Sequence, residues 1–267
     1  MDITQHRLSG SGVSHVTSPN QGGTITPLRF LVMHFTAGRS AQSSVSWLST
    51  PVSKASAHVV VARDGTITQL VPFNKVAWHA GISAWNGING LNSCSIGIEL
   101  DNMGELVRSG DRYVSWFKAV VPPEEVVSAA HPFDGVQGFW HDYTQVQMES
   151  AIELAALICN TYGIEEVLGH EDIAPGRKRD PGPAFPMRSF KSRVMGRQQD
   201  ARTCYKVTAD FLNIRTGPGA MFPKAAPPLL QGTRVLVEEQ QSQWSRVTLE
   251  SQPACQGWVS NAYIIFA

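Results

Sequence analysis

Residues 29–36, RFLVMHFT, form a short apolar run that ends in polar residues. A run of this length suits a buried strand better than a buried helix, so the chain is expected to build a sheet and to deliver His34 at the end of one of its strands. The patterns that follow extend this reading. Gly38 opens a turn, and from Ser40 to Leu48 the apolar positions Ala41, Val45 and Leu48 fall at i, i+4 and i+7, the spacing of a short amphipathic helix. HVVVAR and TITQLV flank Asp64-Gly65, a pair suited to a hairpin turn, and Trp78, His79, Ala80 and Gly81 come next in a loop. In SIGIEL, residues 95–100, alternation sets Ile96, Ile98 and Leu100 on one face and Ser95, Gly97 and Glu99 on the other. Glu99 therefore points away from the strand's apolar face. Thr144 and Gln147 predict a capping box, and Met148, Ala151, Ile152, Ala155, Ile158, Cys159 and Tyr162 mark one stripe of a helix that Gly163 stops.

Between these elements, residues 101–143 are broken by Gly104, Gly110, Pro122, Pro123, Pro132, Gly135 and Gly138 and read as a long irregular insertion. Beyond RQQDART at 197–203, which reads as a linker, short alternating stretches interrupted by Gly217, Gly219, Gly232 and Gly257 predict a small all-β domain. A chain of 267 residues has room for both domains. With 22 basic and 22 acidic residues it lacks the basic field of a non-specific nucleic-acid binder, and no nucleic-acid partner is expected. The polar, Gly/Ser-rich first residues do not resemble a secretory signal and no stretch approaches a membrane span, so the reading is a soluble protein without integral membrane association. Cys94 and Cys159 lie in apolar contexts as buried thiols. Cys204 and Cys255 bracket the C-terminal segment and are expected to pair, although spacing alone does not dictate the pairing.

Three of the eight histidines, His34, His79 and His170, end or follow an apolar run where the backbone becomes irregular. Singly, each reads as a satisfied polar residue at a strand end. The balance changes in GHEDIAPGRKRDPGPAF, where His170 and Asp180 are ten residues apart across a loop stiffened by Pro175, Pro181 and Pro183. Such a loop can aim both side chains at one point, as a catalytic zinc with three protein ligands requires. Lys178 lies two residues before Asp180, close enough to stabilise an oxyanion there.

LVMHFTAG around His34, SAHVVVARDGTITQLVPFNKVAWHAG from Ser56 to Gly81, NSCSIGIEL from Asn92 to Leu100, and GHEDIAPGRKRDPGPAF from Gly169 to Phe185 together resemble the zinc-dependent N-acetylmuramoyl-L-alanine amidases of AmpD type, related in fold to peptidoglycan recognition proteins. The resemblance implies an α/β fold, a mixed central sheet flanked by helices. It implies one zinc ion held by His34, His170 and Asp180, with Glu99 activating water and Lys178 stabilising the transition state. His58, His79 and Trp78 fall in matched motifs and are expected at the substrate. The implied substrate is peptidoglycan or its muropeptides, cut between N-acetylmuramic acid and L-alanine. Residues 204–267, with FLNIRTGPG and GWVS, are similar to bacterial SH3-type domains, which implies a small SH3-like barrel. The expected organisation is an N-terminal extension at 1–28, a catalytic domain at 29–196 and the SH3-like domain. The protein is expected to be bacterial or phage-borne and to reach the wall after lysis or non-classical export, with action in the cytoplasm as the alternative. Tyr113, Trp116, Phe117, Phe133, Phe139 and Trp140 in the insertion are expected to pack it onto the core, with a glycan or peptide groove as the alternative.

Overall fold

The computed structural model describes residues 1–195, 203–241 and 243–266, and the chain divides into two compact units, Met1–Met187 and Arg188–Ala267. The expected linker falls largely on residues outside those described.

In the first unit the apolar runs form strands, and the strands form a six-stranded mixed sheet. In chain order these are β1 (Val13–His15), β2 (Phe30–Phe35), β3 (Val59–Val61), β4 (Ile67–Gln69) and β5 (Ser95–Leu100), while β11 (Glu166–Gly169) returns after an inserted sheet. The order across the sheet is β11-β2-β5-β3-β4-β1. Strand β2 lies between parallel partners β11 and β5, β5 runs parallel to β3, and only the β3–β4 hairpin is antiparallel. Phe30, Leu31, Val32 and Met33 are all buried, as a strand covered on both faces requires. The hairpin turns at Gly65, whose φ of 84° suits glycine, while Asp64 Oδ1 accepts from the Thr66 N–H at 2.9 Å.

Helix α1 (Ala41–Leu48) begins at the N-cap Ser40 and buries Val45 and Leu48. Helix α2 (Gln145–Tyr162) is capped by Thr144, whose hydroxyl accepts from the Gln147 N–H, and ends at Gly163 with φ 64°. The expected capping box is only half formed. Gln147 does not reach back to Thr144; its buried amide donates to Val61 O and Asp101 O, both at 3.0 Å, and so ties the helix to the ends of two strands.

The expected N-terminal extension at 1–28 packs into the first unit: β1 pairs in parallel with β4 and Leu8 is wholly buried, its N–H held by Gln69 Oε1. One expectation on organisation needs correction, because residues 101–143 are not irregular. They form a five-stranded antiparallel sheet from β6 (Glu105–Ser109), β7 (Arg112–Val114), β8 (Val120–Val121), β9 (Val126–Ala130) and β10 (Gln137–His141), ordered β8-β7-β6-β10-β9. The glycines and prolines sit mostly in its turns. Of the six aromatics, Trp140 is buried and Tyr113 packs at a tilt against Phe139, whereas Trp116 and Phe133 are exposed.

The second unit contains a five-stranded antiparallel sheet built on Thr203–Val207, Arg234–Gln241, Trp244–Leu249, Gln252–Ser260 and Ile264–Phe266. Val207, Leu212, Ile214, Val235, Val247 and Val259 form its core. Cys204 and Cys255 are both free thiols, so the expected disulfide is absent. Among the described residues no helix is long and apolar enough to cross a membrane.

Candidate metal centre and the cleft beside it

His34 is the penultimate residue of β2, and β11 ends at Gly169, immediately before His170. Because β2 and β11 are parallel neighbours, both histidines emerge at the same edge of the sheet. The loop after His170 folds back so that the Glu171 N–H donates to Asp180 O at 2.8 Å. Gly169 permits that return, since a Cβ there would lie 2.9 Å from Pro181 Cδ. The three side chains meet. His34 Nδ1 is 2.9 Å from His170 Nδ1 and 3.0 Å from Asp180 Oδ2, and His170 Nδ1 is 2.9 Å from the same oxygen. They are 1%, 3% and 6% exposed, respectively.

The outer hydrogen bonds dictate which atoms face inward. His170 Nε2 lies 3.1 Å from Ala80 O, which can only accept, so Nε2 carries the proton and Nδ1 presents a lone pair. His34 is oriented through two more residues. Ser95 Oγ donates to Leu91 O at 2.6 Å and therefore accepts from His79 Nε2 at 3.2 Å; His79 Nδ1 in turn accepts from His34 Nε2 at 3.0 Å. His34 Nδ1 thus also presents a lone pair. Burial, with His170 alongside, pushes the His34 pKa down to about 4, which keeps the ring neutral. Burial opposes ionisation of Asp180, but the closeness of His170 and His34 prevails and holds its carboxyl well below the usual range. Two lone pairs and a carboxylate converging within 3.0 Å repel one another unless a cation lies among them. The three residues are a set that could hold a metal ion.

Glu99 is in register with His34 on the adjacent strand, which puts both side chains on the same face. Burial, reinforced by Asp180 and opposed by Lys178, pushes its pKa up to about 8, and its Oε2 is buried without a hydrogen-bond partner. Lys178 is half-buried, and among the described residues its ammonium has no ion-pair partner; its charge acts on both His34 and Glu99. Beside Glu99 lies a cleft of about 630 Å³, lined also by Thr36, Arg39 and Ser43 and walled by Trp47 and Trp116. These tryptophans are 55% and 70% exposed, and the Trp116 indole donates to Ala37 O at 2.8 Å.

The three residues expected at the substrate are placed differently. His58 is wholly buried: its Nδ1 accepts from the Gly97 N–H at 3.0 Å and its Nε2 donates to Lys75 O at 2.9 Å, so both nitrogens are committed to backbone and no substrate can reach the ring. His79 stands behind His34 rather than in the cleft. Trp78 is exposed but does not line the cleft. Trp47 and Ser95 are not among the functional residues that the sequence patterns mark. Trp47 carried a signal, because a tryptophan off the Ala41/Val45/Leu48 stripe is a large apolar side chain left to solvent.

Residues 24–183 match the family pattern described as N-acetylmuramoyl-L-alanine amidase. The chain is similar to the N-acetylmuramoyl-L-alanine amidase AmiD of Escherichia coli K12, with 35% identity over 66% of this chain and 56% of that protein. It is also similar to the 1,6-anhydro-N-acetylmuramyl-L-alanine amidase AmpD of the same organism, with 34% identity over 52% of this chain and 57% of that protein. It thus spans a little over half the length of these curated relatives. Among solved structures, AmiD from E. coli in complex with anhydro-N-acetylmuramic acid-L-Ala-D-gamma-Glu-L-Lys superposes with TM-score 0.49, 34% identity and coverage of 64% of this chain and 59% of that chain. With the family pattern matched over more than half of its length, this chain belongs to the N-acetylmuramoyl-L-alanine amidase family.

Proposed function

We propose that this protein hydrolyses the amide between the lactyl group of N-acetylmuramic acid and the L-alanine of the peptidoglycan stem, with one zinc ion held by His34, His170 and Asp180. The observation that carries this reading is the convergence of two imidazole lone pairs and a carboxylate beside Glu99. Two neutral nitrogens and one carboxylate oxygen suit zinc, which, when bound, polarises a carbonyl and acidifies water. Glu99 is the proton carrier. Its partnerless Oε2 accepts a proton from the attacking water and returns it to the alanine nitrogen as the carbon–nitrogen bond breaks and the water oxygen joins the lactyl carbonyl carbon. The Lys178 ammonium neutralises the negative charge that builds on the carbonyl oxygen in between. Trp47 and Trp116 wall the space that the substrate occupies next to Glu99.

The second unit's five-stranded antiparallel sheet suits the resemblance to bacterial SH3-type domains, and we assign it a wall-binding role. That favours intact wall, outside the cytoplasm, as substrate. The test is incubation of the purified protein with sacculi and, separately, with soluble muropeptides, with and without a chelator, followed by mass spectrometry. Release of stem peptides with a free alanine amino terminus, abolished by chelation and restored by zinc, is the expected result. Full activity in a metal-free preparation would refute it.

A further inference from the structure

The loop that carries Lys178 and Asp180 is gripped from outside by the inserted sheet. Arg179, between those two residues, turns toward the insertion. Its guanidinium is 5.3 Å from the centroid of Trp140, its Nη1 pairs with Asp134, and its Nε lies 3.0 Å from Glu105 Oε2. The last pair is within ion-pair range without being aligned as a hydrogen bond. Trp140 is only 1% exposed and is fixed in its own sheet by donation to Ala129 O at 3.2 Å. His131 stacks on the same indole at 5.7 Å and reaches Glu171 Oε2 at 2.9 Å, at the residue after His170. Farther along, the Tyr143 hydroxyl donates to Pro181 O at 2.8 Å, and Gly182 lies so close to Trp140 that a Cβ would come within 2.9 Å of the ring. The insertion therefore holds positions 171, 179, 181 and 182, flanking both His170 and Asp180.

We propose that Arg179 is a positioning residue: Asp134, Glu105 and Trp140 hold it, and it holds Lys178 and Asp180 at the angle their roles need. This rests on the reading of Asp180 as a zinc ligand. A merely structural Arg179 would be a partly exposed ion pair, and such pairs contribute little to stability and nothing to a metal site. Groups that orient metal ligands behave differently, and their loss typically lowers metal affinity by about 10–100-fold.

The experiment measures zinc affinity by chelator competition, kcat and KM on a soluble muropeptide at saturating zinc, and Tm of the metal-free protein. It uses the full chain, Arg179→Met, Arg179→Lys, and the double variant Asp134→Asn/Glu105→Gln. In Arg179→Met, zinc affinity should fall by about 10–100-fold. Its kcat should fall with KM little changed, and its metal-free Tm should stay near wild type. The double variant, with Arg179 still present, should reproduce the defect, and Arg179→Lys should recover part of it. If Arg179→Met does not fold, the double variant decides. Wild-type zinc affinity and kcat in either would overturn the proposal. A wild-type protein that binds zinc but cleaves no muropeptide would refute the proposed activity instead, while the affinity measurements would still decide the role of Arg179.

Discussion

His79→Phe tests whether the hydrogen-bond chain behind His34 sets the donor atom it presents. Phenylalanine keeps a ring of similar size but removes the Nδ1 that accepts from His34 Nε2. In the metal-free variant His34 can change tautomer: its Nδ1 then carries the proton and donates to Asp180 Oδ2, already 3.0 Å away, while Nε2 becomes a lone pair that tolerates an apolar neighbour. The metal-free protein is therefore little destabilised. To bind zinc the ring must return to the other tautomer and bury an N–H with no acceptor, which costs about 1–3 kcal/mol. At about 1.4 kcal/mol per factor of ten, zinc affinity should fall by roughly 5–150-fold.

The assay is competition against a chromogenic chelator, together with Tm in the absence and presence of zinc. For a unit of 187 residues, about 1–3 kcal/mol at about 2–4 °C per kcal/mol removes roughly 2–12 °C from the gain in Tm that a fixed zinc concentration gives. A His79→Phe protein that keeps its metal-free Tm and binds zinc as wild type does would refute the tautomer argument. Loss of metal-free stability by several kcal/mol would refute it as well, since the cost would then be structural.

Three further outcomes follow from the site. Glu99→Gln and Lys178→Ala should each retain zinc and Tm yet lose about a hundredfold or more in kcat, read by steady-state kinetics alongside metal analysis; near-wild-type rates in both would move the proton carrier and the oxyanion group elsewhere. Trp116→Ala should raise KM for soluble muropeptides with little change in zinc affinity or kcat, because the indole is 70% exposed and walls the cleft without touching the metal centre. Deleting residues from 204 onward should lower the rate on sacculi relative to soluble muropeptides, because only the polymer offers a linked module a second binding event; an unchanged ratio would remove the wall-binding role.

What could be read in the sequence was whatever made strong local contrast. The FLVMHF run gave β2 and the position of His34, and SIGIEL gave the face of Glu99, because a strand end beside a buried run leaves few choices. The stiff loop allowed His170 and Asp180 to be paired. Other features were hidden for physical reasons. The strands of the insertion are short and largely solvated, as in ELVRS, where only Leu106 is buried, so they show almost no alternation. The three-residue β1 lies in a polar, Gly/Ser-rich stretch, and its pairing with β4 joins residues about fifty positions apart. His58 sits in a matched motif, but whether an imidazole faces a cleft or clasps two backbone groups depends on contacts with Gly97 and Lys75 that no local pattern encodes.

The register that joins His34 to Glu99 has a physical lock, and that lock is Gly97. Strand β5 is covered on both faces, so apolar burial by itself discriminates weakly against a one-residue slip, which would turn Glu99 to the opposite side of the sheet. Gly97 supplies the missing discrimination. A Cβ at that position would come within 2.6 Å of His79 Nδ1, so only glycine can lie under the imidazole, and a slip would bring Ile96 or Ile98 there instead. The Gly97 N–H also donates to His58 Nδ1 at 3.0 Å. Gly97→Ala should therefore displace His79 as well as strain β5, and weaken zinc binding through His34 in the same direction as His79→Phe. The glycine that permits the hydrogen-bond chain behind His34 is thus also the residue that keeps Glu99 beside it.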